Sequence, residues 1–283
     1  MTALPLVKLG AVTSHTDMSK STPCIPPNPP SHHTWTEKTM KNILIKIGGN
    51  AASQLTPAFF ETIKHWQKNN YNITIVHGGG DSISSLMTQL NEPVVKIDGI
   101  RQTTPTGLAI TKMALLGQVQ PDLVEAFRHH GLSAIGLNAG SNQLLTGHYI
   151  NQEVFGLVGQ IDQVNSQLIQ SLWQQNLIPI IAPLAITNQG QWLNVNADSA
   201  ATAVAKFLKS DELYLLTDVS GIEVHGNILQ QLTPQRAIEL QTESVIHGGM
   251  LPKVNSAFSA VKNGVNAVHI TNTIASHGTT ISM

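Results

Sequence analysis

The sequence of 283 residues has a single cysteine, Cys24. That excludes an intrachain disulfide framework and a zinc site built from several cysteines, and it fits a reducing compartment. Charged residues are scarce, at 12%, and the formal net charge is -1. This gives no electrostatic case for nucleic acid or an anionic membrane surface as a partner. No apolar run reaches the roughly 18 residues of a membrane span, and the opening MTALPLVKLGAV lacks the long apolar stretch of a secretory signal. A cytoplasmic protein without nucleic-acid or membrane partners is expected. Two phosphate-binding signatures are also missing. There is no G-x-x-x-x-G-K-[ST], which excludes a Walker-type P-loop, and no G-x-G-x-x-G at a strand–helix junction, which counts against a dinucleotide site. The chain has 41% hydrophobic residues, ordinary for a globular protein with a sizeable core.

Residues 1–40 stand apart. STPCIPPNPPSHH holds five prolines in thirteen residues, and no periodic apolar pattern runs through the segment. A disordered or partly polyproline-like extension is expected there. From Met40 onward strand and helix patterns alternate. NILIKI (42–47) and NITIVH (72–77) read as buried strands. Between them, LTPAFFETIKHWQKN reads as a helix, with Thr56 as N-cap, Pro57 at the first helical position, and Phe59, Ile63 and Trp66 on one face. DSISSLMTQL (81–90) is a helix with Asp81 at its start. QPDLVEAFRHHG is a helix closed by Gly131, SAIGLN a strand, VNSQLIQSLWQQN a helix and LIPIIAPLAI one strand. ADSAATAVAKFL, TPQRAIELQ and LPKVNSAFSAVKN read as helices, ELYLLTD as a strand, and AVHIT and TTISM as closing strands. This alternation predicts an α/β fold with a mainly parallel sheet covered on both faces.

KIGGN and VHGGG both end such strands. In open α/β sheets ligands sit beyond the carboxyl ends of the strands. Glycine there admits close backbone approach, so that N–H groups can point at an anion, and the helix starting at Asp81 adds its partial positive charge. A glycine cluster alone serves a tight turn as readily as a ligand. Lys46 ends an apolar strand, where a charge needs a partner unless it snorkels to the edge. Lys253, in HGGMLPKVN, starts a helix; Asp198, in NVNADSAA, reads either as an N-cap or as an acid holding cationic side chains. Arg101, in KIDGIRQTT, suits a carboxylate or the solvent. Taken together, two lysines, backbone-donor loops and one carboxylate at strand ends form the set that phosphoryl transfer needs, since its rate comes from positioning and charge neutralisation.

The order KIGGN, VHGGG, GIRQT, NVNAD, LLTDVSG and GGMLPK resembles the amino-acid kinase family over about residues 41–283. Within it, the pattern is similar to members that phosphorylate the γ-carboxylate of N-acetyl-L-glutamate with ATP and Mg²⁺, giving N-acetyl-L-glutamyl 5-phosphate, an early step of arginine biosynthesis. The resemblance implies a three-layer αβα sandwich with an open central sheet, and a homodimer. It implies an amino-acid-binding N-terminal lobe (41–185) and a nucleotide-binding C-terminal lobe (186–283). By position, Lys46 and Lys253 resemble the pair that stabilises the transferring phosphoryl group, and Asp198 the residue that orients them. Gly49, Gly79 and Gly80 resemble backbone donors, and Arg101 and Asn194 the groups that hold the acid's α-carboxylate and amide. Asp218, Val219, Ser220, Gly221, Ile222 and Glu223 resemble the nucleotide segment. Where the family often follows its arginine with Val-Thr-Asp, this chain has Gln102, Thr103 and Thr104. Residues 1–40 do not resemble the amphipathic N-terminal helix of arginine-inhibited hexameric members, so an arginine-insensitive dimer is expected. Kinases for glutamate, aspartate or carrier-bound aminoadipate, and a catalytically silent binding protein, are the alternative readings.

Overall fold

The computed structural model describes residues 40–48, 55–97 and 99–282. The proline-rich residues 1–39 lie outside the described residues, as does Gly49. In chain order the first half comprises β1 (Asn42–Ile47), α1 (Pro57–Lys68), β2 (Asn72–His77), α2 (Gly80–Gln89), β3 (Lys96–Ile97), β4 (Ile100–Arg101), α3 (Pro105–Ala114), a π-helical turn (Leu115–Val119), α4 (Gln120–His129), β5 (Ala134–Leu137) and β6 (Leu145–Tyr149). There follow α5 (Gln152–Phe155), β7 (Gly159–Val164), α6 (Ser166–Trp173), β8 (Ile178–Ile181), β9 (Leu184–Ile186), β10 (Trp192–Asn194) and α7 (Ala197–Leu208). The last are β11 (Glu212–Leu216), β12 (Glu223–Val224), β13 (Asn227–Ile228), α8 (Pro234–Thr242), α9 (Met250–Lys262), β14 (Ala267–Thr271) and β15 (Thr279–Ile281).

Seven strands form the central sheet in the order β15-β14-β11-β1-β2-β8-β5. Neighbours are parallel except the edge pair β14–β15. The pleat divides each strand between two cores. Ile43, Ile45 and Ile47 of β1 pack with Phe59, Phe60 and Ile63 of α1 and Phe127 of α4 on one face. Leu44 packs on the other face with Ala200, Ala201 and Val204 of α7 and Val254 and Ala257 of α9. The small residues of α7 let that helix lie close against the sheet. Helices on both faces of a mostly parallel sheet give the expected three-layer α/β sandwich. α1 starts as read: the Thr56 hydroxyl accepts the Phe59 N–H, and Pro57 occupies the first turn.

Two features differ from expectation. LIPIIAPLAI is not one strand: β8 stays in the central sheet, whereas β9 joins a four-stranded sheet of order β10-β9-β6-β7. Pro183 separates them; it lacks the N–H a continuing ladder needs, and its carbonyl instead accepts from Val195 N at 3.0 Å. The helix α3, to which sequence reasoning assigned nothing, runs through the π-helical turn into α4. It brings Leu108, Ile110 and Leu115 against Ile83 and Met87 of α2 as a third apolar cluster.

Candidate active site

Three chain segments converge at the carboxyl end of the central sheet. β1 ends in Lys46 and Ile47, and Gly48 follows it. The Gly78 N–H donates to the Ile47 carbonyl at 2.8 Å, which docks the triple-glycine loop on β1. A Cβ on Gly78 would meet Gly48 at 3.6 Å and Ala197, the first residue of α7, at 3.7 Å. α7 begins there because the Asn196 side chain accepts the Asp198 and Ser199 N–H groups. Asp198 is therefore not the N-cap; Asn196 is, and the Asp198 carboxylate is free for another task. The first turn of α9 supplies Lys253.

Asp198 spans the two lysines. Lys46 Nζ lies 2.8 Å from one carboxylate oxygen, Oδ1, and Lys253 Nζ lies 3.2 Å from the other, Oδ2. Lys46 is 5% exposed and Asp198 7%. The Lys46 ammonium is close to Oδ1 without being aligned on it, so Oδ1 has an ion-pair partner but no well-directed hydrogen bond. Burial opposes ionisation of Asp198, yet the two ammonium groups outweigh it and hold the carboxyl below its usual range. Lys46 is pulled below the ordinary lysine range, chiefly by burial and further by Lys253, while Asp198 opposes both. With both lysines protonated, one carboxylate faces two cations, and the cluster carries a surplus positive charge inside a low-dielectric cleft. Such a surplus favours an anion.

The glycines serve different ends. A Cβ on Gly79 would sit 2.5 Å from Leu115 of the π-helical turn, so this position packs too tightly for a side chain. A Cβ on Gly80 would meet nothing within 4 Å; that backbone is open, at the start of α2, where the first N–H groups have no helical partner. Arg101 reaches the same place. Its guanidinium donates to the Gly80 carbonyl at 3.1 Å and to the Ser84 hydroxyl at 2.7 Å. Asn194 joins through Thr103, which sequence reasoning missed: Asn194 Nδ2 donates to Thr103 Oγ1 at 3.1 Å, and that hydroxyl donates to the Arg101 carbonyl at 3.0 Å. Asn194 follows residue 185, yet it is bonded to the Arg101 side of the cleft. Thr104 caps α3 by accepting the Gly107 N–H at 2.8 Å. Aspartate and threonine are both good N-caps, which explains how this chain departs from Val-Thr-Asp without losing the helix start.

The segment 218–223 divides in two. Asp218, Val219 and Ser220 are exposed. The Thr217 hydroxyl donates to the Asp218 carboxylate at 2.8 Å and, with its own backbone, holds that carboxyl low; Lys253 adds to the effect. Gly221 and Ile222 are buried and tied down, the Ile222 N–H donating to Thr279 Oγ1 at 2.8 Å. Glu223 opens the hairpin β12–β13.

His77, at the end of β2, is fully buried. Its Nδ1 is 2.8 Å from the Gly78 carbonyl and its Nε2 3.5 Å from Gln120 Nε2. With Nδ1–H donating to Gly78, Nε2 is left in a long contact with the Gln120 amide, whose two hydrogens go to the Leu137 and Ile180 carbonyls at 2.9 and 3.0 Å. Burial lowers the His77 pKa to about 4, the Gly78 carbonyl opposing it. The folded state keeps His77 neutral while the unfolded chain takes up a proton near 6.5. Its contribution is therefore complete above pH 6.5 and is lost as pH falls from 6.5 towards 4, by on the order of 3 kcal/mol. Thermal midpoints measured from pH 7.5 to 4.5 are expected to fall below pH 6.5, and less steeply in His77→Gln. Equal slopes in the two proteins would refute a buried neutral His77.

The sheet topology and the carboxylate between two lysines define a phosphotransferase-like α/β protein, and the comparisons agree. The profile of the Amino acid kinase family matches residues 41–272. The chain belongs to that family. It is 68% identical over 244 residues to the acetylglutamate kinase of Leuconostoc mesenteroides, covering 86% of this chain and 100% of that one. It is 50% identical over 242 residues to the acetylglutamate kinase of Lactiplantibacillus plantarum, covering 85% and 97%. Among solved structures, smu.665 from Streptococcus mutans superposes with a TM-score of 0.81 at 37% identity, covering 85% of this chain and 98% of that one. Carbamate kinase from Giardia lamblia bound to AMP-PNP shares the fold, with a TM-score of 0.63 at 17% identity over 86% and 99% of the two chains.

Proposed function

We propose that this chain transfers the γ-phosphoryl group of ATP to the γ-carboxylate of N-acetyl-L-glutamate, an early step of arginine biosynthesis, in the cytoplasm and as a homodimer. The observation that carries the reading is Asp198 with one ammonium group on each oxygen. In the transfer a carboxylate oxygen of the acid bonds to the γ-phosphorus, the bond from that phosphorus to the β,γ-bridging oxygen breaks, and ADP leaves. Negative charge on the phosphoryl oxygens lies between two polyanionic reactants. Lys46 meets that charge from the side of the acid and Lys253 from the side of the nucleotide. Asp198 fixes their separation, so little reorganisation is needed at the moment of reaction. Because Asp198 is already engaged by both lysines, Mg²⁺ arriving with ATP would rest mainly on phosphate oxygens.

The open N–H groups around Gly79 and Gly80 donate to the phosphoryl group and the accepting carboxylate, a role the family resemblance extends to Gly49. Arg101 and Asn194 hold the α-carboxylate and the amide, and Asp218 to Glu223 receive the nucleotide. Residues 41–185 thus supply most of the acid's site and residues 186–283 the nucleotide's. Arg101→Ala is expected to raise KM for the acid by about 10- to 100-fold, the range for losing hydrogen bonds to a charged group, with KM for ATP unchanged. An effect confined to ATP would refute that assignment.

ADP release measured across N-acetyl-L-glutamate, L-glutamate, L-aspartate and carrier-bound aminoadipate, with and without arginine, tests the whole reading. Turnover with N-acetyl-L-glutamate, background rates with the rest and no response to arginine are expected. Turnover confined to another acid would reassign the substrate, and no turnover with any would indicate a binding protein.

A further inference from the structure

The opposite face of the central sheet holds a group of side chains for which phosphoryl transfer has no use. Lys46 shares the face of Leu44, which packs with α7 and α9, whereas Tyr214 belongs to the face covered by α1. His269 of β14 pairs with Tyr214 of β11 and shares that second face, its ring 4.6 Å from the Tyr214 ring. Glu212, two residues before Tyr214, points the same way and accepts the Tyr214 hydroxyl at 2.9 Å. The connection from β14 to β15 returns over these residues and sets the His277 ring 4.5 Å from that of His269. One ligand atom from each of Glu212, His269 and His277 lies within 4.8 Å of the other two.

The feature that needs explaining is His269. It is 4% exposed, and its Nε2 has no hydrogen-bond partner. Nδ1 lies 3.0 Å from Thr280 Oγ1. With Nδ1–H donating to that hydroxyl, Nε2 presents a bare lone pair, 3.9 Å from Glu212 Oε2. Burial, with His277 nearby, lowers the His269 pKa to about 4, so the ring is neutral at physiological pH. Burial works against an ionised Glu212, but the Lys41 ammonium and the Tyr214 hydroxyl outweigh it and keep the carboxyl low. A neutral buried imidazole aimed at a carboxylate, with a second imidazole beside it, leaves a polar atom unsatisfied unless something sits between them.

We propose that Glu212, His269 and His277 bind one divalent transition-metal ion of the zinc class, through Glu212 Oε2, His269 Nε2 and a ring nitrogen of His277. Two imidazoles and one carboxylate suit zinc, cobalt or nickel, whereas magnesium and calcium prefer all-oxygen sites. Tetrahedral coordination at ordinary bond lengths needs ligand atoms about 3.3 Å apart. His269 Nε2 and Glu212 Oε2 lie 3.9 Å apart and no pair of ligand atoms is more than 4.8 Å apart, so binding draws the ligands in by up to about 1.5 Å, most of it by the exposed side chain of His277. Thr280 acts as the outer partner that fixes the ring of His269, as is usual for a metal-bound histidine. The ion's role is structural. It ties the connection before β15 to β11 and β14, and that connection braces the segment 220–222. Gly278 packs where a Cβ would meet the Ser220 carbonyl at 2.5 Å, and Thr279 accepts the Ile222 N–H.

The test uses the full chain, stripped with a chelator and then titrated with Co²⁺ followed by absorbance and with Zn²⁺ followed by calorimetry and thermal melting. One equivalent of Co²⁺ with visible ligand-field bands, displaced by one equivalent of Zn²⁺, and a Zn²⁺-dependent rise in Tm are expected. His277→Ala, at an exposed position that does not endanger folding, and Glu212→Gln should each weaken Zn²⁺ binding by at least about 100-fold and abolish the rise in Tm. The chain has 12 histidines, so binding that is unchanged in both variants would place the ion elsewhere and overturn the proposal. Absence of stoichiometric binding to the unaltered chain would overturn it as well.

Discussion

Lys46→Ala and Lys253→Ala are each expected to lower kcat by roughly 10²–10³, the scale of removing one preorganised donor to transition-state charge. Both ammonium groups are held by a buried carboxylate at 2.8 and 3.2 Å, so their positions are fixed before substrate arrives. The charge they meet grows as the phosphoryl group moves, so the loss should fall mainly on kcat. Lys46→Met is the cleaner probe of the first lysine, because it keeps the buried alkyl volume and removes only the charge. Lys46→Arg is not a rescue: Lys46 sits in a closely packed strand end, and a planar guanidinium there places its charge elsewhere. The lysines act as a unit on one group, so removing both should cost much less than the product of the single losses. Steady-state kinetics under saturating acid and ATP decide the matter, and near-normal kcat in both single variants would remove these residues from the chemistry.

The parts of this site that were legible in the sequence are those whose physics is local. Lys46 at the end of NILIKI announces itself because a charge on a buried strand demands a partner, and the glycine runs announce backbone that must stay bare. The alternation of strands and helices likewise yields the central sheet, since a buried parallel strand and an amphipathic helix leave different periodicities. Asp198 and Lys253 are separated by 55 positions, so spacing alone does not pair them; the resemblance to the family's motifs did, and the folding of α7 and α9 onto one face makes them partners. What escaped reading depends on distant pairing. Thr103 looks like any loop threonine until it is found beneath Asn194. LIPIIAPLAI reads as one apolar strand because period and composition are silent about which sheet each half joins; Pro183 was the available signal. Asn196 was legible in principle, since an asparagine before Ala-Asp-Ser is a strong N-cap pattern. With Asn196 as the cap, Asp198 is left with the second of its two readings, the acid that holds cationic side chains.

Asp198→Ala is expected to cost both activity and stability, and the two losses should part company under a second substitution. Removing the carboxylate leaves two ammonium groups close together with no counter-charge. Breaking a buried pair in this way typically costs about 3–5 kcal/mol, somewhat less here because Lys253 retains a path to solvent. The residual strain is electrostatic and can be relieved by deprotonating Lys46. That group's pKa is already lowered by burial, and losing Asp198 lowers it further. For a lysine whose folded pKa lies below its unfolded value, stability rises as pH climbs from the folded pKa to the unfolded one. The gap in Tm between Asp198→Ala and the unaltered chain should therefore narrow between pH 7 and pH 9.5. Lys46→Met combined with Asp198→Leu replaces the buried pair by apolar groups of similar size, which is often neutral for stability. That double variant should recover most of the lost Tm while its kcat stays at or below that of Asp198→Ala. A buried ion pair kept only for folding would instead give a double variant restored in both respects, or a single variant that folds poorly yet turns over normally per folded molecule. Melting curves and active-site-normalised kcat on the same preparations separate these outcomes, because the charge on the two lysines matters to the fold only as a cost and to the reaction as the source of rate.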